Sequence, residues 1–342
     1  MRMLPTKLRR MLKEILYASG ALSWYHRVRN RRHLTVVMFH RVLAENDPRL
    51  ASADPAWTVS ERLFEECLAF FTKHYNVISM DDLSRAQLGQ IHLADRPLLI
   101  TFDDGWADNA DYALKALQER KLPAVIFVVA GNVGKREPWD ERLRHRWRRG
   151  TLQPHMGFLW AEMKRNGGTS TTTDLEELIR TMVPLDAAER EELLGKLPAE
   201  PKGLPPPMLS ASDLKALAAG RVAIGSHGLT HTPIPQANNT QFELRESRQR
   251  LEAFLKGTPQ ESVTSLSFPH GIHDQWTIEN AKNEGYNLLF TSEPFLNSLD
   301  RFPDSPAVLG RISVSTETAA GQGADNICSA RLACWLFVRN RR

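Results

Sequence analysis

Three cysteines in 342 residues, Cys67, Cys328 and Cys334, are too few and too scattered for a disulfide framework or a thiolate metal site. An odd number without redox spacing fits reduced thiols and a cytoplasmic setting. Long apolar runs are also missing: no stretch approaches the roughly 18–20 residues of a membrane-spanning helix. The N-terminus is positively charged, but no apolar segment with a small-residue cleavage site follows, so export by the usual signal is not expected. Basic residues interleaved with aromatics are lacking too, which argues against a nucleic-acid partner.

Charge is present but uneven. The formal net charge is +4, yet residues 1–33 hold nine Lys or Arg against Glu14 alone, a local +8, so the other residues sum to about −4. A basic amphipathic arm of this kind can meet an anionic membrane surface, here the inner membrane face. The alternative is a solvated helix packed on the domain through Leu12, Ile15, Leu16 and Leu22.

Beyond the arm, apolar runs alternate with helical patterns. Strands are expected at 34–39, 97–102, 123–130, 222–226, 264–268, 287–291 and near 307–314. Helices are expected at 61–73, 108–120, 211–219, 241–256 and 275–284. Between 134 and 208 the rhythm breaks into a Trp-bearing basic stretch, a polar loop (Asn166 to Thr173), a helical piece from Asp174 and a Pro-rich link (Pro198 to Pro207). With few apolar residues, this insertion is expected to lie over the core without one of its own. The division is then an arm (1–33), a domain with the insertion (34–316) and a basic tail (317–342). Continuous apolar strands alternating with helices give an α/β fold with a parallel sheet. The informative polar residues follow four different strands, which favours a (β/α) barrel over an open sheet.

Two of those strand ends carry the chemistry. Leu98-Leu99-Ile100-Thr101-Phe102 stops at Asp103-Asp104-Gly105. Adjacent carboxylates at a buried strand end are costly without a partner or a metal. Asp81-Asp82 is the control: it follows Ser79 at a helix start, where acids cap the helix. Val222-Ala223-Ile224-Gly225 ends in Ser226-His227-Gly228-Leu229-Thr230-His231. On a helical turn, the four-residue spacing would turn both rings the same way. With one carboxylate the pair makes an open two-His, one-Asp metal set. The second carboxylate is free to take a proton from water beside the metal.

These two segments resemble the first two motifs of the polysaccharide deacetylase family, carbohydrate esterases of the NodB-like type. The resemblance runs from about 34 to 314, interrupted by the insertion. It implies an irregular (β/α) barrel and metal-dependent hydrolysis of an N- or O-acetyl group on a sugar. It implies Asp103 as base and Asp104, His227 and His231 as ligands of a divalent ion, usually zinc. Ser267-Phe268-Pro269-His270-Gly271 is similar to the third motif, usually Arg-x-Pro-Tyr. Ser267 thus stands where a base-orienting Arg is expected. His270 replaces Tyr, whose main-chain N–H would still serve an oxyanion, with Pro269 beside it at the substrate wall. Asp274 and Trp276 match a fourth motif only at the wrong spacing. Leu309-Gly310-Arg311-Ile312 takes the place of the fifth motif without its general-acid His. His40 and His270 are the candidate replacements. His26, His33, His74, His92, His145 and His155 are expected to be structural. Trp139-Asp140-Glu141 resembles a Trp-Asp element of the exopolysaccharide branch, and Trp139 could stack on a sugar or close the barrel.

The expected function is a metal-dependent carbohydrate deacetylase acting on an acetylated glycan or lipid-linked sugar. Rival readings are a catalytically impaired glycan-binding protein and an amide hydrolase with a non-sugar substrate. A non-haem iron oxygenase shares the two-His, one-carboxylate set but leaves Asp103 without a role.

Overall fold

Strands rich in Val, Ile, Leu and Phe bury both faces, and that requires a layer on each side. The computed structural model describes residues 6–165, 174–199, 207–301, 307–321, 324 and 326–342. Its parallel ring consists of β1 (His33–Phe39), β2 (Pro97–Phe102), β3 (Ala124–Val128), β4 (Val222–Ser226), β5 (Ser265–Ser267), β6 (Leu288–Phe290), β7 (Ala307–Leu309) and β8 (Ile312–Ser313). Neighbours pair in that order from β1 to β7. β8 returns to β1, with Val37 opposite Ile312, and closes an irregular (β/α) barrel.

β7 and β8 are one strand broken at Gly310-Arg311. A Cβ on Gly310 would lie 2.6 Å from the Glu293 carbonyl oxygen and 2.6 Å from the Phe295 ring, so only glycine lets the chain pass. Strand residues alternate between two cores. Leu34, Val36, Leu99, Val125, Phe127 and Phe290 form one, joined by Leu83 from the helix Met80–Gln87. Val37, Leu98, Ile100, Ile126 and Ile224 join the other, under helices that include Glu61–His74 and Thr240–Leu255. Each fully buried Leu or Phe adds about 1.5–3 kcal/mol of transfer free energy.

Helix starts follow side-chain caps: Ser60, Ser79, Ser210, Asn239 and Asp274 each accept a main-chain N–H of the first turn. Asp274, matched above to a fourth motif, is such a cap, and Trp276 is exposed. The helix expected at 108–120 opens as a π turn, Asn109–Ala113, before Leu114–Glu119. At its start, buried Asp108 accepts hydrogen bonds from the Arg41 side chain and the Val42 N–H.

The insertion after β3 differs from the expectation. Its helices Trp139–Arg148, Met156–Arg165, Leu175–Met182 and Ala187–Gly195 supply twelve of the fourteen buried apolar side chains of a cluster of its own, among them Trp139, Leu143, Leu159, Trp160 and Leu178. The apolar residues are spread thinly along the chain, but helical spacing collects them on facing stripes. The polar loop expected at Asn166–Thr173 and most of the Pro198–Pro207 link lie outside the described residues.

The N-terminal arm forms helices Thr6–Ala18 and Ala21–Arg29, which pack against a C-terminal helix, Ser329–Phe337. Buried His26 stacks on Phe337 at 4.0 Å. Leu332, Ala333, Leu336 and Phe337, in the segment expected as a basic tail, belong to the outer core.

Candidate active site

The polar residues singled out above meet at the C-terminal mouth of the barrel. Sharp turns after the strands bring them there. Of the six non-glycine residues with positive φ among the described residues, three are Asp104 (74°), His231 (61°) and His270 (57°). Such strain persists only where the surroundings enforce it, and it clusters at functional sites. Gly105, at φ 82°, completes the turn after Asp104.

Asp103 is fixed by a cation from the far end of the chain. The guanidinium of Arg311, itself 1% exposed, donates two parallel hydrogen bonds to the carboxylate, of 2.6 and 2.7 Å. Arg311 also donates to the Thr291 carbonyl (2.9 Å) and to Ser267 Oγ (2.8 Å), which lies 3.4 Å from Asp103. Burial alone would raise the Asp103 pKa, but Arg311 and His227 outweigh it and hold the carboxyl below its ordinary value. The third-motif position therefore does hold Ser267, and the orienting arginine comes instead from the break between β7 and β8. Arg311 lies in Leu309-Gly310-Arg311-Ile312, the segment that takes the place of the fifth motif.

Asp104 turns the other way. Its Oδ1 lies 3.4 Å from His227 Nε2 and 3.3 Å from His231 Nε2, and the three ligand atoms all fall within 4.8 Å of one another. The two rings meet across a bend, not on a helical turn as the spacing suggested; His231 reaches back through its left-handed backbone. His227 Nδ1 is 2.8 Å from the Ser267 carbonyl oxygen, which can only accept, so that nitrogen carries the proton. His231 Nδ1 faces Asp140 Oδ1 at 3.0 Å in the same manner. Both Nε2 lone pairs are thereby aimed at Asp104, as outer-sphere partners do for metal ligands. Trp106 Nε1 donates to Asp104 Oδ2 at 2.9 Å, and Arg41 lies over the Trp106 ring at 4.2 Å while pairing with Asp108 at 2.8 Å.

These residues fit a divalent ion. A tetrahedral ion with bonds of about 2.0–2.1 Å needs ligand atoms about 3.3–3.4 Å apart. Burial would raise the pKa of Asp104, but His227 and His231 hold it well below its ordinary value. Burial would lower that of His231, but Asp140 and Asp104 raise it well above the ordinary value. Both directions express one demand: positive charge between these side chains.

The mouth is a cavity of about 380 Å³ that also takes in His40, Trp57, Trp106, Glu141, His145 and His270. His40 packs on Trp57 at 4.5 Å. Burial lowers its pKa, opposed by Asp104 and Asp103. His270 lies over His231 at 4.5 Å, with Nε2 3.7 Å from Asp140 Oδ2, an oxygen with no hydrogen bond of its own. Burial and the neighbouring His231 hold its pKa down, to about 4. Burial and the carboxylates Asp140 and Asp104 push Glu141 up, to about 8.

Three expectations are corrected. Trp139 does not face this cavity; it is buried in the insertion core beneath Arg190, and the next residue, Asp140, is the one that reaches the site. Trp139 lies about 100° around the helix from Asp140 and points into the insertion core instead. Pro269 is buried behind the loop, where its Cγ would sit 3.3 Å from a Cβ on Gly228, and it does not line the cavity. His145, expected to be structural, does line the cavity, with Nδ1 3.0 Å from Glu137.

Comparison with known proteins agrees with the geometry. The sequence pattern of the polysaccharide deacetylase family matches residues 91–289. The chain belongs to the polysaccharide deacetylase family. These are hydrolases of carbohydrate acetyl groups, acting on carbon–nitrogen bonds that are not peptide bonds. Among solved structures, the fold is similar to the Streptococcus pyogenes deacetylase PplD in complex with acetate, at 16% identity and a TM-score of 0.56, covering 90% of this chain and 99% of that one. It is similar to IcaB from Ammonifex degensii at 18% identity and a TM-score of 0.56, covering 90% and 98%. A de-N-acetylase from Aggregatibacter actinomycetemcomitans is similar at 16% identity and a TM-score of 0.53, covering 84% and 96%. Comparison with curated protein sequences gives no match. At these identities the structures establish a shared barrel fold, and the family pattern establishes membership.

Proposed function

We propose that this family member is a metal-dependent deacetylase of an acetylated glycan or glycan precursor, with Asp103 as base and Asp104, His227 and His231 as ligands, zinc being the ion assigned. The observation that carries the reading is the divergence of two adjacent acids. Asp104 points at two histidine lone pairs, and Asp103 is gripped by Arg311 in the same cavity. A divalent ion bound there supplies Lewis-acid polarisation of the acetyl carbonyl and acidifies water.

The chain's own groups do the rest. Asp103, kept ionised by Arg311, takes the proton of the attacking water. The main-chain N–H of His270 is offered to the developing oxyanion. The exposed ring of Trp57 and the edge of Trp106 flank the sugar. The leaving amine takes its proton from one of three groups on the cavity wall: His270, His40 or Glu141. A non-haem oxygenase reading has no use for the Arg311–Asp103 pair.

The test is acetate release from N- and O-acetylated sugars by zinc-loaded protein. Sugar binding without release in the wild type would establish the impaired binder instead. His270→Ala, His40→Ala and Glu141→Gln separate the proton donors. The donor's variant loses amide hydrolysis but keeps hydrolysis of an activated phenyl acetate, whose leaving group needs no proton.

We also propose that the N-terminal helices meet an anionic bilayer surface. Leu8, Met11 and Ile15 share one helical stripe and are exposed, as are Trp24 and Val28 on the next helix, among Lys13, Arg27 and Arg29. No helix among the described residues is long and apolar enough to cross a membrane. Co-sedimentation with vesicles containing phosphatidylglycerol but not with pure phosphatidylcholine is expected. Equal recovery with both lipids would remove the proposal.

A further inference from the structure

The helix Trp139–Arg148 and the loop 227–231 divide two cavities. Glu141, His145 and His231 face the active-site cavity, whereas Trp139, Leu229 and Thr230 face a second one of about 480 Å³. That volume suits a small-molecule site. The second cavity is basic. Two of its arginines are already satisfied, Arg142 by Glu191 and Arg250 by Glu246, each at 2.7 Å. Lys135, Arg136 and Arg190 make no direct ion pair among the described residues.

Arg190 is the decisive one. It is only 4% exposed, and its charge cannot be shed by deprotonation. One guanidinium nitrogen donates to Thr232 Oγ1 at 2.9 Å, the plane lies 4.8 Å over the Trp139 ring, and Nε is buried with no partner at all. Glu243, Asp140, Asp186 and Glu191 act on Arg190 only at longer range, and a buried guanidinium with no carboxylate in direct contact is costly unless a ligand completes its partners. Lys135 and Arg136, both exposed, stand where the cavity opens. Lys135, Arg136, Arg142, Arg190 and Arg250 outnumber the lining carboxylates Glu137 and Glu191, and that excess suits an oxyanion with several charges.

We propose that this second cavity binds a phosphate or diphosphate group, with Arg190 at its floor and Lys135 and Arg136 at its rim. The site is tied to the metal loop. Thr232 Oγ1 is 2.8 Å from Thr230 Oγ1, and Glu243 Oε1 accepts the N–H groups of Leu229 (2.8 Å) and Thr230 (2.7 Å). An anion on Arg190 therefore pulls on the segment between the two histidine ligands. The group is either part of the substrate or a free phosphorylated compound.

Thermal unfolding and calorimetry of the full chain with inorganic phosphate and pyrophosphate, against sodium chloride at matched ionic strength, test this. Both anions are expected to raise the unfolding midpoint beyond chloride. The double variant Lys135→Glu/Arg136→Glu, which leaves the active-site cavity untouched, is expected to weaken pyrophosphate binding about tenfold or more. Arg190→Gln is expected to abolish it; if that variant does not fold, the rim variant decides alone. No excess over chloride, or undiminished binding by the rim variant, would overturn the proposal. The source is read from acetate release. A KM raised by the rim variant for a diphosphate-linked N-acetyl sugar, but not for the free sugar, assigns the phosphate to the substrate. Unchanged KM values with lost binding assign it to a free ligand. The binding experiment needs no hydrolysis, so its failure and a failure of the deacetylase reading are told apart.

Discussion

Asp81–Asp82 and Asp103–Asp104 are the same dipeptide in two settings. The first begins a helix: Asp82 accepts from the Ser79 N–H and hydroxyl at 2.9 and 2.7 Å, and Asp81 faces solvent near Arg85. Every partner comes from the same turn. The second ends a strand; Trp106 is a local partner, and the others come from three distant segments, His227 with His231, Ser267 and Arg311. Local chemistry satisfies one pair, while the other is satisfied only by the assembled barrel. Adjacent acids therefore say little until the distance to their partners along the chain is known.

That contrast can be pressed experimentally. The largest effect is expected from Asp103→Asn, which should cut kcat/KM for deacetylation by about 10²–10⁴ while bound metal, measured by elemental analysis, stays at the wild-type ratio. Wild-type turnover would remove Asp103 as the base. Arg311→Met strands a buried carboxylate and should lower stability by about 3–5 kcal/mol in urea unfolding, with Arg311→Lys recovering only part because ammonium lacks the fork. A loss no larger than that of a surface pair would make the two dipeptides equivalent after all. Asp140→Asn removes the acceptor that sets the His231 tautomer; competition with a chelator should show divalent metal held about 10–100-fold more weakly. The smallest effect belongs to the helix start. Asp82→Ala should cost about 1 kcal/mol with activity unchanged, and Asp81→Ala should leave both melting and turnover as they were.

What could be read from the residues alone follows the same division. The strands, the barrel and the four residues Asp103, Asp104, His227 and His231 were legible because each lies within a short contiguous pattern. Arg311 was not, because its partner is on a strand at the other end of the chain and the position expected to hold an arginine holds Ser267 instead. Trp139 is the more conspicuous residue as an aromatic, but helix rotation hands the site Asp140. Trp57 and Trp106 lie on turns with no period to betray which way a ring points. The insertion core stayed hidden because its apolar residues are diluted over four helices and condense only when those helices face each other.

One consequence concerns the order in which the protein is made. Residues 307–313 both close the ring against β1 and deliver Arg311 to Asp103. Asp103 precedes Arg311 by 208 residues, so the ring can close and the acid can be paired only once residues 307–313 have been made. Ring closure across nearly the whole chain is entropically slow. A chain ending before residue 311 would keep Asp104, His227 and His231 but leave Asp103 without its guanidinium. The broken strand at Gly310-Arg311 thus acts as a completion check: the step that finishes the fold is the step that arms the chemistry.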